Sequence, residues 1–201
     1  MKKIILSIMM ICFLAILSGC AKKNIVLIPE EIHTETILVK ADGTVQGATV
    51  EEFNKTYYNI TELDGFITKE IEKYNNSATS DAIIKDTLVL SGENAVLILN
   101  YSNLEHFNEF NGASSSLYST GDLRESTMKL PESYLSAKDG SIVTKEVALK
   151  NNDYKVLIIK ANSDILVNGE VKYYDNAVLV NKSKVQTGTK GESVIIFKPY
   201  K

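Results

Sequence analysis

Few side chains in this sequence are equipped for acid–base, nucleophilic or metal chemistry. The chain holds two histidines, His33 and His106, and two cysteines, Cys12 and Cys20. Glu109 follows His106 by three positions. On a helix that spacing puts an imidazole and a carboxylate on one side, where they could share a metal ion or a proton. Two donors do not complete a metal site and no further cluster points at them, so no metal is expected. His33 lies near the N-terminal segment and reads as solvated. Carboxylates recur in pairs, Glu51 with Glu52, Glu105 with Glu109, and Asp122 with Glu125. Such pairs can do general acid–base work, but solvated faces explain them equally well. No Gly-x-Ser-x-Gly elbow occurs, and Gly112-Ala113-Ser114-Ser115-Ser116 reads as a polar turn. There is no phosphate loop and no dinucleotide glycine pattern. Asp42 and Asp81 lack the ligand spacing of a calcium loop. No catalytic residue and no cofactor is therefore assigned.

The elements that would position these groups are short. Leu63, Phe66, Ile67, Ile71 and Tyr74 recur at helical spacing and predict a main amphipathic helix over about 61–75, with Thr61 as N-cap. Gly65 inside it suggests close packing on a sheet. A second helix is expected over about 103–111, capped by Ser102 and ended by Gly112, with Leu104, Phe107 and Phe110 packing. The rest reads as nine or ten strands. These include Thr36–Val39, a return strand to Phe53, Ile83–Leu90, Ala95–Tyr101, Ile142–Leu149, Tyr154–Ala161, Ile165–Val167, Val171–Tyr174, Ala177–Val180 and Ser193–Phe197. Val96–Leu99 and Val156–Ile159 are continuously apolar, as strands covered on both faces are. Asp42-Gly43 and Asn168-Gly169 are hairpin signals. Residues 113–138 read as loop-rich, with one helical turn near Asp122–Thr127, and are the first place to look for a binding site; residues 187–191 read as a loop. The expected fold is α+β, mostly antiparallel β-sheet, with the main helix on a sheet face. The adjacent pairs Tyr57/Tyr58 and Tyr173/Tyr174 would each place one ring inside and one outside if they lay on strands.

The N-terminus carries a different message. Lys2 and Lys3 precede an apolar run from Ile4 to Leu17, fourteen residues long. That is the layout of a secretory signal, and it is short of the ~20 residues a spanning helix needs. Leu17-Ser18-Gly19-Cys20 then resembles the lipobox of bacterial lipoproteins. The resemblance covers only residues 1–20. It implies that Leu17, Ser18 and Gly19 are the recognition positions of the signal peptidase. It further implies that Cys20 is joined to diacylglycerol and becomes the new N-terminus, often further acylated. Residues 1–19 would be a cleaved signal peptide, 20–30 a lipidated N-terminus and tether, and 31–201 a single extracytoplasmic domain. Lys22 and Lys23 would stand beside the anchor, within reach of anionic headgroups.

Composition bounds the remainder. The net charge is −3, and loss of Lys2 and Lys3 takes it to −5. A mildly acidic chain has no electrostatic footprint for nucleic acid. With Cys12 in the signal and Cys20 lipidated, no thiol is left for a disulfide, a zinc site or a nucleophile. The reading that follows is a membrane-anchored protein on the extracytoplasmic face, more a non-catalytic binding or interaction protein of the bacterial envelope than an enzyme. Its partner would be an envelope protein, a peptide or a cell-wall polymer. The alternatives are an envelope hydrolase working through carboxylates and an immunity or inhibitor lipoprotein.

Overall fold

The computed structural model describes residues 24–78 and 81–201. Leu17, Ser18, Gly19 and Cys20 lie outside the described residues, as do Lys22 and Lys23. The fold is α+β and mostly antiparallel β, as the periodicities predict. Thirteen strands form two sheets among the described residues.

The first sheet has seven strands. They are β1 (Thr36–Val39), β2 (Val45–Glu52), β3 (Ile83–Ser91), β4 (Asn94–Tyr101), β9 (Asp164–Val167), β11 (Ala177–Asn181) and β12 (Lys184–Thr187), in the order β11-β12-β9-β1-β2-β4-β3. The β1–β9 pair is parallel and the others are antiparallel. The second sheet has six: β5 (Ser114–Ser119), β6 (Ser133–Ser136), β7 (Ile142–Thr144), β8 (Lys155–Lys160), β10 (Gly169–Asp175) and β13 (Ser193–Pro199), ordered β5-β8-β13-β10-β6-β7. Among the described residues four helices accompany them, α1 (Ile60–Ser77), α2 (Leu104–Asn111), α3 (Thr120–Glu125) and α4 (Lys145–Ala148), with a 3-10 turn at Pro29–Glu31.

The layers follow from the alternation of side chains along each strand. Ile37, Val39, Leu99 and Tyr101 of the first sheet share a core with Leu157, Ile159, Ile195 and Phe197 of the second, and with Ile67 and Ile71 of α1. The opposite face of the second sheet, through Val156, Ile158, Val194 and Ile196, packs with Leu123 of α3 and with Ala148 and Leu149 at α4. The opposite face of the first sheet, through Leu38, Ala48, Val96 and Ile98, is covered by Leu27 and Ile32. The runs Val96–Leu99 and Val156–Ile159 are continuously apolar because each strand has apolar partners on both faces.

Several boundaries move. The Asn59 side chain, not Thr61, caps α1, accepting from the backbone N–H of Thr61 at 2.9 Å and of Glu62 at 3.4 Å. Asn103, not Ser102, caps α2, and Gly112 ends it at φ 60°. Gly65 sits where an added Cβ would meet nothing within 4 Å, so it does not mark a close approach. Ser114–Ser116 belong to β5 rather than to a turn, Ile142–Leu149 divides into β7 and α4, and β12 occupies chain expected to be partly loop. Around Asp42-Gly43 only Gly43 takes a positive φ, 89°. A type I′ turn requires both central residues there; the loop Lys40–Thr44 is instead a three-residue connection with glycine in the left-handed position.

Asn168-Gly169 is the larger correction. It is not a hairpin turn. β9 and β10 lie in different sheets, and this dipeptide is the corner where the chain leaves one for the other. Gly169 has an ordinary φ, but a Cβ there would stand 2.4 Å from the Lys198 carbonyl oxygen and 2.7 Å from the Phe197 ring. Absence of a side chain, rather than left-handed backbone, is what the corner requires. Asp175-Asn176 returns the chain to the first sheet, with Asn176 at φ 50° and its amide donating to the carbonyls of Lys190 and Glu192.

The packed body also starts earlier than residue 31. Ile25 donates its N–H to Asn168 Oδ1 at 3.1 Å, Leu27 donates to Gln46 Oε1 at 3.3 Å, and Leu27 is buried. Residues 24–32 thus form a strap across the first sheet.

Candidate functional site

Beside His106 and Glu109 lies a groove of about 480 Å³. Its floor is Leu97 and Leu99 of β4; one wall is Phe66, Ile67, Glu70 and Lys73 of α1, the other Glu109 and Phe110 of α2. Its geometry is set by how α1 is fixed to the edge strand β3. Asn75 exchanges two hydrogen bonds with the Ile83 backbone, at 2.9 and 3.0 Å, and the Lys85 ammonium donates to Asp64 and to Thr68. α2 approaches the sheet over Gly47, where an added Cβ would lie 3.2 Å from Tyr101 and 3.5 Å from Phe107.

Only part of the α1 apolar stripe enters the core. Ile67 and Ile71 are buried, Leu63 and Tyr74 are half-buried, and Phe66 is 62% exposed on the groove wall. A phenylalanine left that open beside an apolar floor suits contact with a ligand or partner.

Tyr74 draws together the pair that the sequence singled out. Its hydroxyl donates to Glu109 Oε2 at 2.6 Å and lies 3.0 Å from His106 Nδ1. With its one proton spent on Glu109, the hydroxyl oxygen accepts from Nδ1, which therefore carries a proton. The Tyr74 ring also meets the His106 and Phe110 rings edge-on, at 5.8 and 5.4 Å between centroids. Loss of water pushes the Tyr74 phenol up to about 12, with the Glu109 bond and charge adding to it. A phenol so hard to ionise is a poor base near neutral pH. The trio clasps α1 to α2 across the groove. Among the described residues no group of three or more His, Cys, Asp or Glu is placed to hold a metal ion.

The other sequence candidates are dispersed. His33 is exposed. Glu105 is exposed; the Tyr74 hydroxyl bonds to Glu109 instead, and Glu105 adds only its charge to the push on the phenol. Asp122 is used in the capping box of α3, where its side chain accepts from the Ser119 N–H while Ser119 Oγ accepts from the Asp122 N–H. The Ser119 hydroxyl beside the Asp122 carboxylate, and then the Ser119 N–H, hold that carboxyl below the usual range. Glu52 lies exposed at the end of β2 beside Lys55. Glu51 is exposed and adds its charge to Glu35, whose carboxyl is pushed up mainly by loss of water, against the pull of the Val50 N–H. Asp42 fastens its turn, accepting from the Thr44 N–H and hydroxyl. A Ser-x-x-Lys motif, expected to be absent, does occur at Ser126 and Lys129, the spacing of some nucleophilic serines. Ser126 Oγ donates to the Leu123 carbonyl and accepts from the Met128 N–H, so it closes the turn after α3.

Tyr57 and Tyr58 lie on no strand; both are exposed, and Tyr58 stacks on Phe53 at 4.9 Å. Tyr173 and Tyr174 do divide between the faces of β10: Tyr174 packs in the inter-sheet core and Tyr173 against the outer one. The groove itself was not legible in the sequence. Its one advance signal is Phe66 at the margin of the α1 stripe.

No family model matches this chain. No curated protein matches it in sequence, and no solved structure matches its fold.

Proposed function

We propose that this chain is a bacterial envelope lipoprotein, held through lipid on Cys20 at the extracytoplasmic face of the cell membrane. Its domain serves as a non-catalytic binding protein through the groove between α1 and α2. One observation carries the location: Leu17-Ser18-Gly19-Cys20 stands directly behind a short apolar run that begins with two lysines. A lipid on Cys20 anchors stably only when two or more chains are buried, at about 0.8 kcal/mol per methylene. The binding half is supported by Phe66, exposed above Leu97 and Leu99, with Glu70, Lys73 and Glu109 among the groove's walls. That chemistry suits an apolar side chain flanked by polar or charged groups, as a peptide segment of an envelope protein would offer.

Mild cross-linking of intact cells, followed by detergent solubilisation and pull-down, tests the reading. A discrete partner species is expected, and Phe66→Asp should deplete it about fivefold or more, since loss of an interface anchor costs over ~1 kcal/mol. Recovery of the chain alone, or a partner insensitive to Phe66→Asp, refutes binding in this groove.

A further inference from the structure

The strap places the start of the packed body beside a concentration of lysines. Asn24 accepts from the Asn168 side chain at 3.2 Å, and Ile25 donates to it. Asn168 opens directly into β10, where Glu170 and Lys172 form an ion pair at 2.8 Å. Lys198 is the cross-strand partner of Glu170, and the Val171 N–H donates to the Lys182 carbonyl at 2.7 Å. Lys138, Lys172 and Lys182 line one hollow of about 500 Å³ with Glu170. Lys172 holds the Glu170 carboxyl below its usual range, and Lys182 and Lys198 add to the pull, so all three cations sit close to one acid. Lys138, Lys182 and Lys198 are exposed. Four lysines around one glutamate make a positive patch on a chain whose net charge is −3.

We propose that this lysine patch, formed by Lys138, Lys172, Lys182 and Lys198 beside the Asn24–Asn168 junction, docks the domain onto the anionic headgroups of the membrane that holds Cys20. The proposal rests on the lipid-anchor reading above. Its geometric basis is the short connection. Only residues 21–23 separate Cys20 from Asn24, and at about 3.4 Å per residue the span is at most ~14 Å. That is comparable to the ~8–10 Å over which charges are felt at physiological salt. The connection therefore keeps Asn24 near the headgroups whenever the anchor is inserted, and Asn168, bonded to Asn24, stands two residues ahead of Glu170 at the centre of the lysines. Each lysine near an anionic surface contributes about 1 kcal/mol, roughly a fivefold gain in docked population.

The test uses the lipidated chain in vesicles of phosphatidylcholine alone, and of equal parts phosphatidylcholine and phosphatidylglycerol. A fluorophore is placed at Val180→Cys, on β11 near the patch, or at Leu90→Cys, at the far edge of the first sheet. Energy transfer to a headgroup-labelled lipid reads the height of each end. Expected is strong transfer from position 180 and weak transfer from position 90 in anionic vesicles, with the contrast reduced by high salt or by phosphatidylcholine alone. The triple variant K138Q/K182Q/K198Q should lower the docked-to-undocked ratio about a hundredfold while remaining on the vesicles. E170Q, which removes the acid paired with Lys172, should raise it. Retention on vesicles with the same transfer in both lipids, or with no change in the triple variant, overturns the docking and leaves the anchor standing. A wild-type chain that does not sediment with vesicles overturns both.

Discussion

Gly169→Ala is the sharpest test of the corner between the sheets. The added methyl would stand 2.4 Å from the Lys198 carbonyl oxygen, 2.7 Å from Phe197 Cδ2 and 3.0 Å from the Lys198 carbonyl carbon, whereas ordinary contact begins at 3.4 Å. The overlap with the carbonyl is about 1 Å. Lys198 pairs with Glu170 of β10, and its neighbour Phe197 pairs with both β8 and β10, so the carbonyl cannot move far without the strand. Phe197 is fully buried and has no room to turn aside. Overpacking of this kind costs about 1–3 kcal/mol, at the upper end here because backbone is involved. Reduced freedom of the unfolded chain returns about 0.4–1 kcal/mol. The net loss is about 2 kcal/mol, a fall in Tm of about 4–8 °C for a domain of this size. Denaturant and thermal unfolding of the purified protein measure it. Gly188→Ala is the control, since its Cβ meets nothing within 4 Å and its φ is ordinary; it should change stability by less than about 0.5 kcal/mol. A double variant with Phe197→Leu should show coupling, because the two side chains compete for one space. A Gly169→Ala protein as stable as wild type, or strictly additive with Phe197→Leu, refutes the close approach.

Three further expectations follow from single residues. Tyr134 is buried and its hydroxyl has no hydrogen-bond partner among the described residues; Tyr134→Phe should be neutral or stabilise by up to ~1 kcal/mol, and a clear loss in denaturant midpoint would show that the hydroxyl is satisfied. Gly65→Ala on the exposed face of α1 should stabilise by about 1 kcal/mol; destabilisation would mean that the helix meets something there. The folded state lowers the Asp122 carboxyl, so its contribution is fully present above about pH 4 and is lost as pH falls through the lower folded value. The stability difference between wild type and Asp122→Asn should therefore shrink on acidification, and a constant difference from neutral to strongly acid pH contradicts the capping role.

The fold class and the two longer helices were legible because their signals are local. The Ile67–Ile71 spacing and Gly112 each act within a few residues. The doubly covered strands were legible because a strand with apolar partners on both faces needs an unbroken apolar run. The topology was not. Asn-Gly reads as a hairpin because glycine tolerates left-handed backbone, but at Gly169 the same residue is present because Phe197 and Lys198, distant in sequence, leave no space for a Cβ. Nothing local distinguishes the two uses. β5 was missed because Ser114–Ser116 looks like a turn by composition, while its pairing with Lys160–Ile158 is a tertiary fact. His106 and Glu109 were correctly placed on one helical side; what they meet, the Tyr74 hydroxyl, comes from another helix. The strap was half visible in Ile25–Ile28, whose apolar residues already suggested packing on the domain.

The lipid on Cys20 is the central claim, and intact-mass analysis of the protein extracted from membranes reaches it most directly. Expected is a chain beginning at Cys20 and carrying a diacylglyceryl group, with Cys20→Ser abolishing both the lipid and membrane retention while leaving the domain folded. A chain that still holds residues 1–19, or one whose Cys20 bears no lipid, contradicts it.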